Sequence, residues 1–169
     1  MGNFALSSQA HAFIARNFSP GATILELGSG DGSALLAERY TIYAVEHDSA
    51  WLEKHPKVRY IHAPIREHKV VKGFPHNHWY DKTVIASTQA IPYSLVIVDG
   101  PPGNVGRAGF LKYLSLFNEG APVLFDDLHR TWELKLAKKV AARRKCPLVI
   151  YGLDTYKHFG VIWPNRSLW

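Results

Sequence analysis

Residues 26–33 read Glu26-Leu27-Gly28-Ser29-Gly30-Asp31-Gly32-Ser33, and they decide the fold. Ahead of them, Thr23 to Leu27 has the composition of a strand. Behind them, a helix is predicted from about Ser33 to Arg39. Glycine at three alternate positions lets the backbone turn sharply and lets a ligand approach the main chain. The spacing is Gly-x-Gly-x-Gly. It is neither the Gly-x-Gly-x-x-Gly of pyrophosphate-binding turns nor the Gly-Lys-Ser/Thr of a phosphate loop. About twenty residues on, Glu46 closes a second predicted strand, Thr41 to Glu46, where an acid can hold both hydroxyls of a ribose. The plain alternative is a tight turn with a surface glutamate. Three spaced glycines with an acid upstream and another downstream, all in register, argue against it.

Around this motif, strand-like and helix-like segments alternate, which predicts a mostly parallel sheet covered by helices. Leu6 to Phe18 reads as a leading helix within residues 1–20, broken by Ser19-Pro20-Gly21. Ser49 to His55 is a short helix stopped by Pro56, and Val58 to His62 a third strand. Residues 63–90 are less regular and read as an insertion on the acceptor side, with helix toward Ala90. Tyr93 to Val98 is a strongly apolar fourth strand. Arg107 to Phe117 is predicted helical, Pro122 to Phe125 a fifth strand, and Arg130 to Lys145 a long helix. Leu148 to Tyr151 and Phe159 to Trp163 finish the chain as strands. Their connection, Gly152 to His158, is too short for a parallel crossover, so they should form an antiparallel hairpin.

The glycine motif and Glu46 resemble those of class I S-adenosylmethionine-dependent methyltransferases, and the element order resembles that family over nearly the whole chain. The resemblance implies a single Rossmann-like, doubly wound α/β domain over residues 1–169. Its seven strands would run 3-2-1-4-5-7-6, with the last antiparallel and helices on both faces. It also implies a cofactor site built from Glu26, Gly28, Ser29, Gly30, Gly32, Ser33, Glu46, His47, Ala63 and Asp99. The glycines would lie under the methionine part, Glu46 at the ribose and Ala63 near the adenine. Many relatives carry an acid at this last position. This chain has Ile61-His62-Ala63-Pro64, which implies a backbone contact there.

Three carboxylates form a second constellation. Asp99 closes the fourth strand and Asp126-Asp127 the fifth. Adjacent strand ends in an open α/β sheet share the edge where ligands bind. Like charges brought together need a neutralising cation. All-oxygen ligands suit Mg²⁺, Mn²⁺ or Ca²⁺. The pattern is similar to metal-dependent O-methyltransferases of the catechol and macrolide-sugar types, which implies metal ligation by Asp99, Asp126 and Asp127. Each acid alone would read as a turn former or helix cap. The Asp99-Gly100-Pro101-Pro102-Gly103 stretch differs from the Asn/Asp-Pro-Pro-Tyr/Phe motif of amino-group methylases. Gly103 stands where the stacking ring would be, which argues against a base methylase.

Five further residues are candidates around the same edge. His129 is a candidate base and Arg130 a candidate anion-binding group, giving a catalytic set of Asp99, Asp126, His129 and Arg130. Trp79, Tyr80, Arg107 and Arg130 are candidates for the acceptor pocket. Core packing is the commoner fate of a Trp-Tyr pair. The remaining histidines lack zinc-ligand spacing.

The chain has 169 residues, 47% of them hydrophobic and 12% aromatic, enough to bury a core. Lys and Arg number 20 against 14 Asp and Glu. Residues 130–145 hold seven basic residues and one acid, which is the whole excess of +6. Trp132, Leu136, Ala137, Val140 and Ala141 predict one apolar face on that helix, with the lysines elsewhere. The single cysteine, Cys146, rules out an intrachain disulfide within this sequence. Met1 to Ser7 lacks the pattern of a secretory signal, and no apolar run reaches the roughly 18 residues of a membrane span, so a cytoplasmic location is expected.

The resemblance implies transfer of a methyl group from S-adenosylmethionine to a hydroxyl of a sugar, glycan or other small molecule, assisted by a divalent cation. Two other readings stay open. One is a metal-free methyltransferase with His129 as base. The other is a nucleic-acid-binding or RNA-methylating protein using the basic helix. Residues 63–89, or a second copy in a homo-oligomer, would have to supply a lid.

Overall fold

A computed structural model describes residues 6–164. The chain start, read above for signals, lies outside them. Helix α1 (Ser8–Asn17) begins where the Ser7 hydroxyl accepts the Ala10 N–H at 3.1 Å, and it buries Ala10 and Ile14. Strand β1 (Thr23–Leu27) follows, then α2 (Asp31–Ala37) and β2 (Thr41–Glu46). One 3₁₀ turn, Ser49–Trp51, stands where a helix to His55 is expected. After β3 (Arg59–His62) comes a hairpin that the sequence did not suggest, β4 (Ile65–Glu67) against β5 (His78–Tyr80). Helix α3 (Lys82–Ser87) is capped by the Asp81 carboxylate, which accepts the Thr83 N–H at 2.8 Å. Strand β6 (Leu95–Val98), α4 (Gly109–Lys112), β7 (Val123–Phe125), α5 (Thr131–Arg144), β8 (Leu148–Tyr151) and β9 (Phe159–Ile162) complete the chain. The expected helix from Arg107 to Phe117 is only α4 and a 3₁₀ turn, Leu114–Leu116.

The seven-stranded sheet runs β3-β2-β1-β6-β7-β9-β8. That is the predicted order once the separate β4-β5 hairpin is left out of the count. Strands β1, β2, β3, β6 and β7 are parallel, and β9 is antiparallel to both β7 and β8. Side-chain alternation splits the core in two. Leu25, Val96, Val98, Val123 and Phe125 face a layer containing Trp79, Phe110, Leu136 and Val140. Ile24, Leu95, Ile97 and Leu124 face a layer containing Ala10, Ile14 and Leu36. Strand β6 is buried at all four positions, as a central parallel strand covered on both faces must be.

Helix α5 corrects one expectation. Its buried stripe is Glu133, Leu136, Ala137, Val140 and Ala141. Trp132 is 42% exposed. A 3.6-residue period places 133, 136–137 and 140–141 on one line and leaves 132 beside it. The Trp132 ring instead tilts against Phe74 at 6.2 Å, with Lys135 Nζ 5.1 Å from its centroid. Burial of Leu136 and Val140 stabilises this packing by about 1.5–3 kcal/mol each. No helix among the described residues is long and apolar enough to cross a membrane.

Candidate active site

Strands β1, β2, β6 and β7 end at one edge of the sheet. Strand β1 lies between β2 and β6, so chain order reverses beside it. This is the switch point where open α/β sheets bind ligands. A cavity of about 490 Å³ opens there, within the range of small-molecule sites. Gly28 and Ser29 from the β1 turn, Glu46 and His47 after β2, Asp99 after β6 and Asp127 after β7 all line it, with Tyr80, Arg107 and Arg130.

The floor is backbone. Gly28 has φ +96°, and a Cβ there would stand 2.9 Å from Gly100 N. A Cβ on Gly100 would meet Gly28 Cα at 2.7 Å and the Tyr80 hydroxyl at 2.5 Å. The turns after β1 and β6 touch because neither carries a side chain at the crossing. Gly30, Gly32 and Ser33 lie deeper, and Ser33 Oγ accepts the Gly30 N–H at 3.1 Å.

Glu46 is held on both oxygens. Oε1 accepts the N–H groups of His47 at 2.6 Å and Asp48 at 2.8 Å, and Oε2 accepts that of Ser29 at 2.9 Å. A carboxylate offers about four acceptor positions. These bonds leave one, on Oε2, for a ligand hydroxyl without displacing a backbone donor. His47 Nδ1 lies 2.7 Å from Oε1 but lacks hydrogen-bond geometry. Trp51, which the sequence reading passed over, lines the same end of the cavity, with Lys54 Nζ 3.5 Å above its ring.

Glu26 is buried beneath the loop. Burial pushes its carboxyl up to about 8, against a Ser33 hydrogen bond and with help from Asp99, Glu46 and Asp126. Ala63 is wholly buried and outside the cavity, and its N–H donates to the Glu46 carbonyl at 2.9 Å. Trp79 also stands apart. It is wholly buried, stacked on Tyr113 at 5.8 Å and set against Phe117, and its ring fills the place of a side chain on Gly109. Tyr80 does reach the cavity. Its hydroxyl is buried without a hydrogen-bond partner, and burial, then Glu46, keeps it protonated far into alkaline pH.

The three aspartates converge. One oxygen of each lies within 4.8 Å of the others, and theirs is the metal-compatible cluster found among the described residues. Each acid is already paired with a base. Arg107 Nη2 lies 3.1 Å from Asp127 Oδ2 and 3.5 Å from Asp99 Oδ1, and its Nε donates to the Pro101 carbonyl. Arg130 Nη1 lies 3.0 Å from the same Asp127 oxygen. Lys157 Nζ lies 2.6 Å from Asp126 Oδ2 and 3.6 Å from Asp127 Oδ1. The resemblance implies a cation held by these acids, and three basic side chains of the chain also lie against them. Lys157 was missed because a lone lysine in a short hairpin connection carries no motif.

Burial, then Asp126, pushes Asp99 up to about 7 against the pull of Arg107. Asp126 is raised too, chiefly by burial and against Lys157. Burial opposes the charge on Lys157, but Asp126 outweighs it and holds the pKa above the ordinary value. Asp127 sits at φ +61°, a left-handed conformation that aims its carboxylate between both arginines.

His129 does not line this cavity. Its ring packs beside the exposed Tyr156 at 5.0 Å, on a shallow groove along α5 that includes Lys135, Lys138 and Lys139. Arg130 borders both groove and cavity. Arg144 is no free surface cation: it holds the carbonyls of Ala121 and Asn118.

No family model matches the sequence, and no curated protein matches it. Solved structures do. An rRNA methylase from Streptococcus thermophilus aligns with TM-score 0.58 and 11% identity, over 92% of this chain and 94% of that one. The chain has the methyltransferase fold. A methyltransferase from Pyrococcus furiosus aligns with TM-score 0.55 and 16% identity, over 92% and 81%. MycE of the mycinamycin biosynthetic pathway, in complex with Mg, SAH and mycinamycin VI, aligns with TM-score 0.52 and 17% identity. That match covers 94% of this chain but 46% of MycE.

Proposed function

We propose that the protein is an S-adenosylmethionine-dependent methyltransferase acting on a hydroxyl of a sugar or other small molecule. The observation that carries this reading is the pairing of a backbone-floored cavity with a buried, pre-oriented Glu46 at its rim. The residues present fit the cofactor. Glu46 Oε2 keeps one acceptor position for a ribose hydroxyl. The Tyr80 hydroxyl supplies a buried donor without a partner. Trp51 offers a ring at the adenine end. When bound, the cofactor supplies a methyl group on a positively charged sulfur.

The chain's own residues do the rest. Gly28 and Gly100 admit the ligand to main-chain contact. Asp99 lines the cavity together with Glu46 and Arg107, and a carboxylate near 7 is matched to taking a hydroxyl proton at neutral pH. Arg107 Nη1 is buried without a hydrogen-bond partner and borders the acceptor side. Asp99 rather than His129 is the base in this reading, because only Asp99 borders the cavity.

Isothermal titration with S-adenosylmethionine tests the cofactor claim. Binding is expected, and Glu46→Ala should weaken it at least tenfold. Absence of heat with both the cofactor and its demethylated product would remove the proposal. A second reading is favoured by the basic groove that meets the cavity at Arg130: an RNA acceptor lying along α5. Steeply salt-dependent binding of single-stranded RNA, lost on charge reversal of Lys138 and Lys139, would support it.

A further inference from the structure

We propose that the ammonium group of Lys157 does at this site the electrostatic work of a divalent cation, and that acceptor activation is independent of metal. The inference rests on the methyltransferase reading and states how that site handles its acceptor.

The first argument is charge. Asp99, Asp126 and Asp127 bring three formal negative charges within 4.8 Å. Arg107, Arg130 and Lys157 return three positive ones through the contacts given above. The cluster is formally neutral. Adding a divalent ion would leave it two charges positive beside the Asp126 and Asp127 side chains, which are all but sealed from solvent and where repulsion is poorly screened.

The second argument is space. Mg²⁺ and Ca²⁺ need oxygen ligands at roughly 2.0–2.6 Å on several sides. The ground between Asp126 and Asp127 is taken by Lys157 Nζ, which touches an oxygen of one and approaches an oxygen of the other. Asp127 Oδ2 faces two guanidinium groups at 3.0 and 3.1 Å. The Asp126 side chain has no exposed surface by which an ion could arrive from elsewhere.

The third argument is construction. Lys157 sits in the connection between β8 and β9, and that connection is pinned on both sides of it. Thr155 Oγ1 donates to the carbonyls of Gly152 at 2.8 Å and Lys157 at 3.1 Å. The Leu128 N–H donates to the His158 carbonyl at 2.8 Å. Lys157 also lines the cavity.

In the transfer step, the acceptor hydroxyl gives its proton to Asp99. An oxygen lone pair forms the new O–C bond while the S–C electron pair leaves on sulfur. Negative charge gathers on the acceptor oxygen as its proton departs. A fixed ammonium beside that oxygen stabilises the charge, as a pre-oriented cation does in a water-poor site.

The test uses the full chain and Mn²⁺ as probe, read by electron paramagnetic resonance. Wild-type protein and Lys157→Arg should bind no Mn²⁺ at 1:1 stoichiometry up to millimolar concentration, on the order of the weakest cation sites. Lys157→Met vacates the space, and Mn²⁺ binding should appear and vanish again when Asp126→Asn is added. Across a panel of methyl glycosides, Lys157→Met should lower kcat at least a hundredfold while cofactor affinity changes less than threefold. Stoichiometric Mn²⁺ binding by the wild type that Asp126→Asn abolishes would overturn the proposal, whatever the variants do. So would an Lys157→Met enzyme with wild-type kcat. Failure of the underlying methyltransferase reading shows separately, as absence of cofactor heat.

Discussion

Glu26→Gln should stabilise the ligand-free protein in alkaline solution and leave it nearly unchanged in mild acid. Glu26 is 2% exposed, and its carboxyl is pushed from 4.5 up to about 8, first by burial. The folded state therefore keeps a proton that the unfolded chain releases. With the folded pKa raised, the stability this group contributes is complete below about 4.5. It drains away as pH rises through the window and is gone above about 8. A shift of roughly 3.5 units at about 1.36 kcal/mol per unit is on the order of 5 kcal/mol. That is a large share of the roughly 5–15 kcal/mol that holds a domain together. Glutamine has nearly the same shape and no proton to lose. Urea unfolding of both proteins between pH 5 and 9, without cofactor, should show the wild-type curve falling more steeply. The difference should be about 1.4 kcal/mol per pH unit near pH 6. Parallel curves for the two proteins between pH 5 and 8 would refute the assignment of a neutral, buried Glu26.

Tyr80→Phe removes a buried hydroxyl that has no partner, so the ligand-free protein should lose no stability, or gain up to about 1 kcal/mol. The same change should weaken S-adenosylmethionine binding about tenfold by titration, because a donor facing the cavity is gone. Gly28→Ala should cost more than about 2 kcal/mol in chemical denaturation, from its positive φ and its collision with Gly100. On α5, Trp132→Ala should shift stability by less than about 1 kcal/mol while Leu136→Ala costs about 2–5 kcal/mol. Equal losses would contradict the helix facing.

Periodicity and turn chemistry carried most of the sheet. Strands 23–27, 41–46 and 148–151 have the boundaries that their composition implied. The hairpin β4-β5 was illegible because each strand has three residues, with Arg66, Glu67 and His78 among them, and no alternation can show in so short a run. The predicted helix from Arg107 fails at Tyr113, whose backbone leaves helical geometry, and Gly109 serves there to receive the Trp79 ring. In the site, Glu46 and the three aspartates could be placed because strand ends share an edge. Arg107 and Arg130 were legible at that edge as acceptor-pocket candidates, but not as ion-pair partners of the acids. Lys157 was not legible at all, because it arrives from a hairpin more than fifty residues beyond Asp99. Which cation answers a cluster of acids is fixed by folding, not by spacing along the chain.

The contact between Gly28 and Gly100 has a consequence for how such a protein can change. Two turns from distant parts of the chain meet there main chain to main chain, so a methyl group on either one must push the other. Neither position can be mutated on its own without moving its opposite number, and the floor they form behaves as one inherited piece. New acceptors must therefore be accommodated at the walls. Pro102 and Arg130, which are exposed and line the cavity, are where selection for a different substrate should leave its marks.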